Sequence, residues 1–432
     1  MSTTDMAPRF FIAVAAILLF CRLVSWAIGR VGQPPVVGEM IAGVLLGPSL
    51  LGLIWPSLEV ELFPAALKPV FYVAGQIGLV VFMFQAGHEF RSRLKRGIGS
   101  TAGAVSAAGI TVPLVLGVAV AAAAHGHVGI FVKGVSPGVT EAFVGVALAI
   151  TAFPMLARII TERGLSGTRY GNLALASGAI DDVVAWCLLA AVLSVASGKA
   201  RPILVAVGGV ILFAALVLLG ARRLLDRIMS QPSVNDEIKV LAVVAVLFAA
   251  AWYTDEIGLY SVFGAFCVGL AMPPGPASER AVSTISVSNR IIFLPMFFVY
   301  SGLNTKFALL SNRPLLLFSA AAIAAAVIGK FAACTAAARL RGEDPGVSVR
   351  LGALMNARGL MQLIALNIGL SAGIVNSQLF TALVLVALVT TLMASPILGW
   401  LDRRAPLPEP PEPALVGAGA GLSTVGTELS AP

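Results

Sequence analysis

About thirteen apolar runs, most of them near 20 residues long, follow one another between residues 10 and 400. At 1.5 Å of rise per residue, a helix of roughly 20 residues crosses the ~30 Å hydrocarbon core of a bilayer. The runs lie near 10–29, 34–53, 67–88, 97–123, 139–161, 170–197, 202–221, 238–253, 258–272, 289–305, 314–338, 350–371 and 377–400. The ninth is short, and its Gly264, Gly269 and closing Pro273–Pro274 predict a tilted or partly buried helix. Only 12% of residues are charged, against roughly 25% in a soluble domain. The expected fold class is therefore an all-α polytopic membrane protein embedded in the lipid bilayer.

Loop charges set the expected topology. Lysine and arginine gather in alternate loops, and cytoplasmic loops are the ones that hold them. One set, from Arg30 through Arg91, Arg163, Arg222 and Arg339 to Arg404, contains 19 basic residues, and the opposite set contains 7. The N-terminus is expected outside and the C-terminus in the cytoplasm, with residues 1–404 forming the transmembrane domain. This distribution accounts for the net charge of +8 without a nucleic-acid partner. The first run is longer than a signal-peptide core, and a retained helix is expected. Residues 405–432 are rich in Pro, Ala and Gly and predict a disordered tail. GAGAG at Gly417–Gly421 has no preceding strand and is low-complexity sequence rather than a nucleotide fingerprint. Cys21, Cys187, Cys267 and Cys334 are isolated within apolar segments, so neither a disulfide framework nor a zinc site is expected, and no cofactor.

Against this background Asp181 and Asp182 stand out, in LALASGAIDDVVAWCLLAAV from Leu173 to Val192. One ionisable group at the bilayer centre costs about 2.5–3.5 kcal/mol on insertion scales, so two need a use, and an ion or proton site is the default reading. The span begins near Tyr170, which puts the pair roughly 17 Å deep, near the midplane. Successive helical residues diverge by about 100°, so the two carboxylates cannot both face one small site. One is expected to face an aqueous cavity and the other a neighbouring helix that supplies a cation.

Three basic residues lie within spans: Arg22, Lys330 and Arg358. Lys330 is roughly 12 Å from the cytoplasmic end of its helix, a depth that matches the acids and is too great for easy snorkelling. Two spans also carry interruptions at membrane depth. VALAITAFPMLARII has Thr151 and Pro154; GALMNARGLMQLIALNIGL has Asn356, Arg358 and Gly359. These spans are seven apart and so run in opposite directions, the pattern of inverted repeats with a midplane site. Exposed half-helix ends carry about half a charge each, and Thr151, Asn356 and Arg358 are placed to answer it. Hard oxygen ligands there suit an alkali cation. Glu39, about five residues into the second span, is a candidate for the inner ion pathway.

Four segments together carry a resemblance: VVGEMIAGVLLGPSLLG (Val36–Gly52), SGAIDDVVAW (Ser177–Trp186), IGKFAAC around Lys330, and LMNARGLMQLIALNIG (Leu354–Gly369). In this order and topology they resemble the monovalent cation:proton antiporters of the Kef-like and NapA-like branch, over roughly residues 10–400. The resemblance implies that Asp182 is the main cation and proton carboxylate and that Asp181 pairs with Lys330. It also implies crossed broken helices at Thr151–Pro154 and Asn356–Gly359, an elevator-like movement, a homodimer, and a transporter rather than an enzyme. Some relatives carry a nucleotide-binding domain after the last helix, for which the tail here is too short. Many have Asn at the position of Asp181, a difference linked with electroneutral exchange; Asp181 with Lys330 leans toward electrogenic exchange. Two other classes are weighed. An intramembrane aspartyl hydrolase needs carboxylates facing one water, which adjacent helical residues do not provide. An inverted-repeat symporter of an organic anion would keep the broken helices but does not require the Asp181, Asp182 and Lys330 set.

Overall fold

The structure, a computed structural model, describes residues 3–93, 99–196, 212–213, 215–257 and 261–404. Every regular element among the described residues is helical. Nine stretches among them are long and apolar enough to cross a membrane, accompanied by the shorter apolar helices Pro137–Ala149 and Ser261–Ala271. Most of the expected 202–221 span lies outside the described residues, as does the expected tail at 405–432, so the count of thirteen stands as an expectation.

The helices that position the site are α1 (Thr3–Gly29), α2 (Pro35–Leu46), α3 (Lys68–Arg93), α4 (Gly99–Ala123), α5 (Pro137–Ala149), α6 (Phe153–Glu162), α7 (Arg169–Ala196), α8 (Asp236–Glu256), α9 (Ser261–Ala271), α10 (Leu294–Leu303), α11 (Arg313–Leu340), α12 (Pro345–Met355), α13 (Leu360–Ser371) and α14 (Ser377–Arg404). They sort by packing into two groups. In the first, α2 packs on α1 and α10, α3 on α9 and α10, and α8 on α9. In the second, α4 packs on α5, α7 and α11, α12 on α7 and α11, and α14 on α11 and α13.

Hydrophobic burial cannot drive helices together in lipid, so small residues that let backbones approach do much of the work. The glycines of the Val36–Gly52 motif illustrate this. A Cβ on Gly43 would collide with the Phe298 carbonyl of α10, and one on Gly302 of α10 would collide with the Gly43 carbonyl. Ala42 and Leu46 of α2 then join Ile17 of α1, Phe71 of α3 and Val299 of α10 in a satellite core.

A few polar contacts join the groups. Gln33, in the turn between α1 and α2, donates to the Leu392 carbonyl of α14 at 3.0 Å. Near the other end of the bundle, Asn367 of α13 donates to the Ser301 hydroxyl of α10 at 2.6 Å.

Candidate functional site

Two helices stop short in the middle of the second group. α5 ends at Ala149 because Ile150 turns to φ −58°, ψ 132°, and α6 begins at Phe153 after an extended Ala152. Pro154 falls in the first turn of α6. There its missing N–H has no intrahelical acceptor to lose and its fixed φ suits the helix. The proline expected to mark the interruption thus starts the second half-helix, and the interruption itself is Ile150–Ala152. The other break runs from Asn356, which caps α12, to Gly359, which opens α13 at φ +75°, ψ −123°. Side chains are strained at that φ, so glycine is the residue that fits. The breaks touch: the Ala152 N–H donates to the Ala357 carbonyl at 3.1 Å.

An interrupted helix leaves unpaired carbonyls at one end and unpaired N–H groups at the other. At the end of α5 two buried cations fill that need. Lys330 Nζ donates to the Ala149 carbonyl at 2.7 Å, and the Arg358 guanidinium donates to the carbonyls of Ala147 and of Ala326 on α11, both at 3.1 Å. Both side chains are fully buried. Their positive charge also matches the partial negative charge of the α5 C-terminus. At the start of α6 the match is reversed: the Phe153 N–H donates to the Asp182 carboxylate.

The adjacent carboxylates therefore have different surroundings. Asp181 is saturated. Its Oδ2 accepts from Lys330 at 2.8 Å and from Thr151 at 2.6 Å, while its Oδ1 accepts from Ser106 at 2.6 Å. Thr151 also lies 3.5 Å from the Met355 carbonyl, tying the first break to the end of α12. Asp182 is equally buried, yet its Oδ2 has no hydrogen-bond donor. It lines a small cavity with Ile150, Ala185, Trp186, Leu189 and Met361.

Of the residues singled out in the sequence, Asp181, Asp182, Thr151, Lys330 and Arg358 come together around the first break. Asn356 lies at the second break, buried, with its Oδ1 unpartnered. Glu39 does not join them: it sits half-buried on α2, facing Cys21 of α1. Its neighbour Met40 does reach the site, since a Cβ on Gly359 would lie 3.5 Å from the Met40 sulfur. Arg22 is exposed on the outer face of α1.

Sequence reasoning missed Ser106 and the carbonyls of Ala147, Ala149 and Ala326. The carbonyls leave no trace in side-chain identity. Ser106 had a faint signal, a lone hydroxyl one turn before Gly109 in a run of small residues. That glycine makes room for the ion pair: a Cβ there would lie 2.6 Å from Cys334 Sγ and 3.7 Å from Lys330 Nζ.

Comparison with known proteins agrees with this architecture. The chain is 34% identical over 398 residues to the Na(+)/H(+) antiporter NhaS4 of Synechocystis sp., covering 89% of this chain and 95% of that protein. It is 33% identical to Cation/H(+) antiporter 18 of Arabidopsis thaliana, of which it spans only 48%. The solved sodium proton antiporter MjNhaP1 from Methanocaldococcus jannaschii shares the fold, with a TM-score of 0.64 at 16% identity, covering 92% of this chain and 99% of that one. The family model for the transmembrane sodium/hydrogen exchanger matches residues 15–403, almost the whole helical region. The chain is a multi-pass membrane protein of the sodium/hydrogen exchanger family, a family of transporters.

Proposed function

We propose that this protein exchanges protons for a monovalent cation across the cell membrane, and that Asp182 carries either one but never both at once. The observation that carries this reading is the division between the two carboxylates. Asp181 already has three donors, one of them Lys330, so its charge is answered within the protein. Asp182 has a backbone N–H on one side and an unpartnered buried oxygen beside a cavity. An unanswered carboxylate at membrane depth must find a proton or a cation. Competition for that one oxygen couples the two fluxes.

Arg358 and Lys330 hold the α5 end in place, so their charge is committed before any ion arrives. Thr151 hydrogen-bonds the saturated acid and thereby steadies the break rather than contacting the ion. For the site to open to each side in turn, α4–α7 with α11–α14 would move as a body against α1–α3 and α8–α10. We further propose that the protein is a homodimer, with its N-terminus outside and its C-terminus cytoplasmic, and that residues 1–404 form the exchanger domain. A lysine that stays paired while Asp182 alone changes occupant gives one-for-one, electroneutral exchange; electrogenic exchange would require Lys330 to release a proton as well.

The test is proton movement in proteoliposomes, followed with a pH-sensitive dye as Na⁺, K⁺ or Li⁺ is added, with and without a clamp on membrane potential. Asp182→Asn should insert and fold normally yet show no cation-dependent proton flux. If one cation and one proton compete, the apparent KM for the cation rises up to about tenfold per unit fall in pH. Wild-type exchange by Asp182→Asn, or uptake of an organic anion in place of proton movement, overturns the proposal.

A further inference from the structure

A crevice of about 500 Å³ opens where the two helix groups meet, at the opposite end of α6 from Asp182. It is lined by Gly29 at the end of α1, by Gln33 and Pro34 of the turn that follows, by Ile159 of α6 and Arg163 just past its end, and by Ser395 of α14. Ten residues of helix separate Phe153 from Arg163, about 15 Å.

Its positive charge is only loosely paired. Arg163 donates to the Ser395 carbonyl at 2.6 Å and, among the described residues, makes only a long ion pair with Asp402, at 3.9 Å. Asp402 is itself engaged by Arg350 at 2.9 Å. Two guanidinium groups thus share one carboxylate, and the looser partner faces the crevice. An entry route for cations would not be lined this way, because a net positive charge repels them.

The second polar wall is Gln33. Its side chain is 8% exposed, its amide nitrogen is taken by the Leu392 carbonyl, and its Oε1 is buried without a partner. A buried acceptor left unsatisfied costs about 1–3 kcal/mol, so a ligand that brings a donor gains at this wall.

We infer that this crevice binds a phosphate group that also carries a hydroxyl. The anionic oxygens would pair with Arg163, the geometry in which arginine binds phosphate best, and the hydroxyl would donate to Gln33. Inorganic hydrogen phosphate and the headgroup of phosphatidylglycerol both have that chemistry; sulfate and phosphatidylcholine lack the hydroxyl. The volume lies in the range of small-molecule sites. A phosphate seated there bridges Gln33 of one helix group and Arg163 of the other, so bound ligand slows the relative movement that exchange requires.

The test uses the full chain in phosphatidylcholine nanodiscs. Thermal unfolding is measured at matched ionic strength with phosphate, sulfate or chloride, and again after phosphatidylglycerol replaces part of the phosphatidylcholine. Phosphate or phosphatidylglycerol should raise the midpoint, and sulfate should do so much less. A response to free phosphate identifies a soluble anion, and a response to phosphatidylglycerol alone identifies a lipid headgroup; either supports the inference. Arg163→Gln should remove the shift. Gln33→Leu should keep a shift but make phosphate and sulfate equivalent, which guards against misreading a poorly folded Arg163 variant. Equal effects of phosphate and sulfate on the native chain, or a phosphate shift that survives Arg163→Gln, overturn it.

Discussion

The two helix breaks meet through one backbone hydrogen bond, from Ala152 to Ala357, yet they are held open by different means. The first is held by charge. Two buried cations cover the end of α5, and a carboxylate meets the start of α6. The second is held by backbone shape. Asn356 caps α12, Gly359 takes a positive φ, and among the described residues no hydrogen bond from an acidic or basic side chain reaches the end of α12. The charged break is the one beside Asp181 and Asp182, so the groups that stabilise it also define where an ion can be answered. The second break lends it Arg358 and otherwise serves as a scaffold.

The sharpest way to break this contrast is to remove Lys330. Lys330→Met keeps most of the volume but leaves the Asp181 charge and the Ala149 carbonyl without their cation. Removing one partner of a buried pair costs about 3–5 kcal/mol, because the other is left uncompensated. Thermal unfolding in detergent should fall accordingly, and adding Asp181→Asn should recover much of the loss. A double variant as unstable as Lys330→Met alone would mean that the lysine acts chiefly on the α5 carbonyl, not on the carboxylate.

Gly359→Ala tests the other break. A non-glycine residue forced into that backbone region costs about 1–3 kcal/mol. The added methyl would also sit 3.2 Å from the Met155 side chain and 3.4 Å from the Thr391 hydroxyl. Stability should fall by about 2 kcal/mol, with slower exchange but an unchanged pattern of cation competition, since no charge has moved. A changed ion preference in this variant would show that the second break contributes ligands and is more than a scaffold.

The charged break was the more legible in the sequence, for a physical reason. An Asp, Lys or Arg inside an apolar run costs so much in lipid that its presence alone marks a site, and depth along the helix then matches Lys330 to the acids. Helical geometry likewise anticipates that Asp181 and Asp182 meet different partners. The exact place of the first break was not legible, because Pro154 serves equally to interrupt a helix or to begin one. The covering of the α5 end was hidden too, since the acceptors at Ala147 and Ala149 are backbone atoms. Glu39 carries a weaker signal for the opposite reason: an acid near the start of a span is cheap to place, so its presence alone says little about the site.

The smallest expected effect belongs to Ser106, the contact with the least sequence signal. Its hydroxyl gives Asp181 a neutral donor on Oδ1, the oxygen that Lys330 and Thr151 do not use. Hydrogen bonds to charged groups contribute about 1.5–3 kcal/mol, and because two donors remain on Oδ2, Ser106→Ala should sit at about 1.5 kcal/mol. Ser106→Gly would remove the same bond but add backbone freedom to α4, so the alanine variant is the cleaner probe. If Asp181 is held jointly by its three donors, the losses from Ser106→Ala and Thr151→Val should not add, since both act on one carboxylate. Strict additivity would mean that the two hydroxyls serve their own helices, and that the ion pair with Lys330 alone fixes the acid at the first break.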